Sequence, residues 1–128
     1  MRLLLDTHAI VWWLNDDARL SPQAKSTIQA QTNECFVSAA SARKLATKVR
    51  RGRWDEAAAL VKDFDQIMAR NRFQVLAIMS LHALLAGSYK VAHQDPFDRM
   101  LVAQAQLEDA VLMTVDPELS TFGIKTLW

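Results

Sequence analysis

Five short apolar runs punctuate this chain, and their spacing constrains the fold more than any other feature. They are residues 2–5 ("RLLL"), 34–38 ("ECFVS"), 73–78 ("FQVLAI"), 110–115 ("AVLMTV") and 124–128 ("IKTLW"). Each is too short for a stable helix. The first, at least, is continuously apolar, as suits a strand covered on both faces. Between the runs lie helical segments. "THAIVWWLN" (7–15) is one, and "SPQAKSTIQAQ" (21–31) is another, with Ser21 as its cap and Pro22 at the first helical position. "AASARKLATKVRRG" (39–52) places Ala42, Leu45, Ala46 and Val49 on one stripe and stops at Gly52. Residues 55–71 read as one longer amphipathic helix, with Ala57, Leu60, Val61, Phe64, Ile67 and Met68 inward. "SLHALLAGS" (80–88) reads as a short helix, "YKVAHQ" (89–94) as a loop, "DPFDRMLVAQAQLED" (95–109) as a helix and "PELSTFG" (117–123) as a turn or short helix. Strands separated by helices imply a parallel sheet with right-handed crossovers. The expected fold is therefore α/β, a three-layer α/β/α sandwich around a parallel sheet of about five strands.

The chain has 128 residues, which suits a single domain over 1–128. With 51% hydrophobic and 23% charged residues it is neither disordered nor a coiled coil. A net charge of +1 gives no global nucleic-acid signature, so any basic patch is local. The lone cysteine, Cys35, cannot close an intramolecular disulfide; within "CFV" it reads as a buried, reduced thiol, which suits a cytoplasmic protein. "MRLLLD" reaches Asp6 too soon for a signal peptide, and no apolar run approaches membrane-spanning length. Three scattered glycines make no phosphate loop, and no serine or cysteine nucleophile is supported. His8, His82 and His93 lack metal-ligand spacing. His8, near Asp6, can touch a substrate, but a packed or helix-surface histidine is the simpler reading. Trp12 and Trp13 suit a core or a dimer interface better than a base-stacking platform.

Ligands of open α/β sheets sit beyond the carboxyl ends of the strands. Asp6 ends the first run, Asp116 follows the fourth in "TVDP", and Asp95 and Asp98 open the helix leading into the fourth. Each acid also has a purely structural reading as a helix cap or a first-turn acid. If the first and fourth strands are neighbours, however, these carboxylates converge on one edge of the sheet. Several carboxylates in one cleft repel unless a cation sits among them, and Mg²⁺ takes such oxygen ligands. A pair of these ions can activate water and stabilise the leaving oxygen in phosphodiester cleavage.

Four blocks, "LLLDTHAIVWWL", "VSAAS", "HQDPFDRMLVAQA" and "LMTVDPELSTFGIKTLW", together closely resemble bacterial PIN-domain proteins of the VapC toxin type. The resemblance runs from the first strand to the last residue, and "DPFDRMLVAQA" is its most specific part. It implies a metal-dependent endoribonuclease using Mg²⁺ or Mn²⁺, the toxin of a type II toxin–antitoxin system, held inactive by a cognate antitoxin and homodimeric. It implies that Asp6, Asp98 and Asp116 are the metal-site acids. Asp95 is the companion acid of the same block and ranks below them, mainly starting the helix. Thr7 and Thr114 lie near matched acids and are expected to orient them or a bound water.

One block departs from the pattern. The family's Ser-x-x-Ser is followed three residues on by a glutamate. Here Ser38 and Ser41 match, Arg43 stands where an aromatic residue is common, and Lys44 holds the glutamate position. An ammonium among three aspartates neutralises them and competes with a cation. Lys44 is therefore expected to pair with Asp6 or Asp98 and to weaken metal binding and cleavage. The same segment carries Arg43, Lys44, Lys48, Arg50, Arg51 and Arg53, six basic residues in eleven, while the nine others face fourteen acids. Such a run is either a solvated helix face or a rim that guides RNA phosphates. Two alternatives stand beside the ribonuclease. One is a catalytically inactive PIN-like module that binds RNA or an antitoxin. The other is a doubly wound phosphatase with Asp6 as nucleophile, which wants a second acid where His8 stands.

Overall fold

All five apolar runs become strands in the computed structural model, which describes residues 1–128. They are β1 (Arg2–Leu5), β2 (Glu34–Ser38), β3 (Phe73–Leu76), β4 (Val111–Met113) and β5 (Thr126–Leu127). All neighbours pair in parallel, in the order β3-β2-β1-β4-β5. The helices are α1 (Thr7–Leu14), α2 (Pro22–Gln29), α3 (Ala39–Arg50), α4 (Ala58–Lys62), α5 (Phe64–Arg70), α6 (Ser80–Ser88) and α7 (Pro96–Leu107), with 3₁₀ turns at Asp55–Ala57 and Pro117–Phe122.

The three layers follow from side-chain alternation along the strands. In register, Leu3, Leu4 and Leu5 face Cys35, Phe36 and Val37 on one side and Val111, Leu112 and Met113 on the other. Leu3, Leu5, Cys35, Val37 and Met113 point to one face, where they meet Ile10, Val11, Leu45, Leu60 and Met68. Leu4, Phe36 and Leu112 point to the opposite face, against Leu101, Val102 and Ala105 of α7 and Leu119. Full burial of a leucine contributes about 2 kcal/mol, so β1, covered on both faces, anchors both clusters.

From β1 the chain steps outward to β3, then returns to place β4 on the other side of β1. The carboxyl ends of β1 and β4 thus flank the point where strand order reverses, the usual place for a ligand cleft.

Several expectations need correction. Residues 55–71 do not form one helix: a 3₁₀ turn, α4 and α5 replace it, with a break at Asp63 (φ −132°, ψ 40°). No glycine or proline causes the break. α4 packs on α3 whereas α5 runs along β3, and one straight helix cannot serve both surfaces. The third, fourth and fifth strands are shorter than their apolar runs, and Ile78 and Met79, just past β3, are exposed. On α3, Ala46 is exposed and Ser41 is buried in the inward row. Gly52 does end α3, with φ 67° just past the Arg51 cap. Trp12 is core, and Trp13 packs against the same cluster. The most exposed apolar side chains lie instead on and just before α6, where Met79, Leu81 and Leu84 are 60%, 67% and 70% exposed. No helix is long and apolar enough to cross a membrane.

Candidate active site

Asp6 follows β1, Asp116 lies just beyond β4, and Asp98 sits in the first turn of α7. All three line one cleft of about 170 Å³ with Thr7, His8, Lys44 and Thr114, and Leu101, Val115 and Leu119 supply its apolar wall. The neighbouring strands therefore bring together the acids that the sequence places far apart.

Each acid is also held locally. Asp6, 8% exposed, caps α1 by accepting the Ala9 N–H at 2.8 Å. Burial pushes its carboxyl above the ordinary aspartate range, while the Thr114 hydroxyl, the Ala9 N–H and the Lys44 ammonium pull the other way. Asp116 caps the following 3₁₀ turn through the Glu118 N–H at 2.9 Å, and its own N–H donates to Thr114 Oγ1 at 3.1 Å. Asp98 Oδ2 lies 2.8 Å from His93 Nε2, and His93 Nδ1 lies 3.0 Å from Glu118 Oε2. The bond to Asp98 raises the His93 pKa, and the bond to Glu118 adds to the shift. Asp95 does not line the cleft. Its carboxylate accepts the Phe97 and Asp98 N–H groups and starts α7.

The serines work from below. Ser38 caps α3 through the Ala40 N–H, and Thr7 Oγ1 donates to Ser41 Oγ at 3.0 Å; both serines are buried. They fix the start of α3, and so the position of Lys44 on its second turn. Lys44 lines the cleft, but the expected ion pair is absent: none of the chain's ion pairs joins Lys44 to an acid. The reason lies in the acids. His93 already holds Asp98, and Asp6 is buried in its cap. The Lys44 ammonium instead stands 6.0 Å from the centre of the Phe97 ring, with Arg43 at 5.5 Å from the same centre.

The basic run divides by distance. α3 starts at the cleft edge of the sheet and rises about 1.5 Å per residue. Arg43 shares the Phe97 ring with Lys44, and Lys48 stands over Trp54, which packs on His8; exposed Arg50 lies roughly 9 Å further along the axis than Lys44, and exposed Arg51 and Arg53 lie past the end of the helix.

Three hard carboxylates around one cleft match magnesium or manganese in donor type. They do not, as they stand, form a ready-made ligand set: no three acidic, histidine or cysteine side chains meet closely enough to hold a metal ion. Asp98 faces His93, and an ammonium lines the cleft where a fourth acid is expected.

Two residues at the site escaped a reading based on metal-ligand spacing. His93 touches Asp98 from a loop, and Arg99 fixes that loop. The Arg99 guanidinium donates to the carbonyls of Ala86, Tyr89, Val91 and His93. The usable signal was an arginine beside Asp98 in an otherwise apolar helix, since a planar guanidinium there organises several acceptors at once.

A family model described as PIN domain matches residues 3–125. No curated protein matches the sequence significantly. Solved structures share the fold. VapBC2 from Rickettsia felis, bound to a DNA fragment from its promoter, aligns with a TM-score of 0.70 and 14% identity over 100% of this chain and 98% of that chain. A toxin–antitoxin complex from Klebsiella pneumoniae aligns at 0.60 and 19% identity over 92% and 89%. The PIN domain endonuclease Utp24 aligns at 0.55 and 15% identity over 94% and 75%.

Proposed function

This chain belongs to the PIN domain family, and from that premise we propose that it is a metal-dependent endoribonuclease toxin weakened by Lys44. The observation that carries this reading is the convergence of Asp6, Asp98 and Asp116, with Lys44, on one cleft at the switch point of the sheet. Asp6, Asp98 and Asp116 would hold Mg²⁺ or Mn²⁺, which when bound supplies the charge that activates water and steadies the leaving oxygen. The chain's own residues do the rest. The Thr114 hydroxyl sits between Asp6 and Asp116 and restrains both. Thr7 and Ser41 tie α1 to α3 and fix the width of the cleft. Arg43, beside Lys44 on α3, and Lys48, over the Trp54 ring that packs on His8, attract RNA phosphates toward the acids.

The likeness to toxin–antitoxin complexes supports a cognate antitoxin as partner. The exposed apolar side of α6 supports a second copy of the chain as another. Buried, unpaired Cys35 is in keeping with a reducing cytoplasm.

The test is cleavage of a labelled single-stranded RNA with Mn²⁺ or Mg²⁺. Slow cleavage that chelation abolishes, and that Asp98→Asn reduces at least about a hundredfold, is the expected outcome; that loss is the scale of removing a transition-state contact. A specific observation favours a second reading, an inactive module that binds RNA or an antitoxin: no ligand set is assembled and an ammonium lines the cleft. RNA binding without cleavage under either metal would establish that reading instead.

A further inference from the structure

His8 lines the cleft beside Asp6 and is clamped in the middle of a five-membered stack. Its ring centre lies 5.2 Å from Trp12 and 5.0 Å from Trp54. The Arg19 guanidinium stands 4.9 Å over Trp12, and the Lys48 ammonium 5.0 Å over Trp54. The stack joins α1 to the end of α3 and fixes the imidazole plane. Both indoles are largely buried, so neither is open to a base.

The ring nitrogens are a different matter. Every imidazole hydrogen bond in the chain belongs to His82 or His93, and His8 has none. Nor are its nitrogens sealed off from solvent, since the only buried polar side-chain atom without a partner is Gln104 Oε1. A rigidly held ring thus borders the cleft with its hydrogen-bonding capacity unspent, one indole away from the Lys48 ammonium, which no acid pairs and which attracts polyanions; Arg19, at the other end, is taken up by Asp17 and Glu56.

We propose that His8 is a substrate-contacting residue, whose ring N–H donates to a backbone oxygen of RNA, a phosphate or ribose oxygen, lying across the cleft. The assignment rests on the ribonuclease reading for its ligand but not for its geometry. Preorganisation is what makes the contact effective, because the stack has already fixed the ring and little freedom is lost on binding.

Packing and hydrogen bonding are separable at this position. His8→Phe keeps an aromatic ring between the indoles and removes the N–H. His8→Gln keeps a donor and loses the ring. The probe is a fluorescein-labelled single-stranded RNA, followed by anisotropy in EDTA so that no cleavage intervenes. The expected result is about tenfold weaker binding by His8→Phe, the size of one lost hydrogen bond to a charged or polar partner, at an unchanged melting temperature. His8→Gln, which keeps a donor but loses the fixed ring, should bind between the two. Equal affinity of His8→Phe and the unmodified chain overturns the proposal while leaving the ribonuclease reading intact. If His8→Phe does not fold, the imidazole NMR signals of His8 in the unmodified chain decide: a shift of its ring nitrogens on adding the RNA supports the contact, and unchanged signals overturn it. An unmodified chain that gives no anisotropy change overturns the RNA reading and this proposal together.

Discussion

Asp6 does two jobs with one side chain, capping α1 and facing the cleft. Asp116 does the same at the other strand end. In a strand–helix unit the cap position and the strand-end position coincide, so the two readings of these acids were never exclusive. Asp95 caps α7, which follows a loop and not a strand, so it remains a cap. His93 was illegible for the opposite reason. Its importance comes from a loop whose path Arg99 sets through backbone carbonyls, and no spacing rule encodes that path. Cys35 was legible, since an apolar strand buried on both faces leaves a thiol no solvent. Burial pushes its pKa from 9.0 up to about 11. The sign follows from linkage. Between these values the unfolded chain releases the thiol proton and the folded chain keeps it, so stability falls as pH rises from 9 toward 11. The loss amounts to about 2 to 3 kcal/mol. Denaturant titrations of the unmodified chain and of Cys35→Ala should show that slope only in the former; identical pH profiles would mean the thiol is freely ionised in the fold.

Among the elements, the strands and capped helices were readable because each is set by a local pattern. Ser21 caps α2 through the Ala24 N–H at 3.0 Å, with Pro22 at its first position. The break at Asp63 was not readable, because it answers to two distant packing surfaces, α3 and β3, and to nothing in its own residues. The apolar surplus was also misplaced. Two adjacent tryptophans suggested an interface as readily as a core, yet Trp12 is buried, and the two most exposed leucines, Leu81 and Leu84, are on α6. If α6 is the dimer face, Leu84→Glu places a charge in an apolar contact at a cost of several kcal/mol. Light scattering at micromolar concentration should then show a dimer for the unmodified chain and a monomer for Leu84→Glu. A monomer in both cases, without antitoxin, would remove α6 as a homodimer surface.

At the scale of the whole molecule, one topological fact governs the site. Because β4 returns to lie beside β1, acids 110 residues apart share a cleft. That convergence requires the first and fourth strands to be neighbours, and the order β3-β2-β1-β4-β5 makes them so. What the sequence could not fix was the partner of Lys44. Its ammonium reaches the cleft, as the block alignment implies, but His93 holds Asp98 in its place. The cleft consequently holds three acids and an ammonium that pairs with none of them. A divalent ion held in the cleft would be repelled by the Lys44 ammonium by roughly 4 to 8 kcal/mol, for separations of about 4 to 8 Å at an effective dielectric near 20. Replacing the ammonium by a carboxylate removes that repulsion and adds an oxygen ligand. The most direct measurement is titration calorimetry with Mn²⁺ on the unmodified chain and on Lys44→Glu. The account predicts weak binding by the former and affinity higher by on the order of a hundredfold or more for the latter, since about 1.4 kcal/mol corresponds to each tenfold. Equal Mn²⁺ affinity in the two proteins would contradict it.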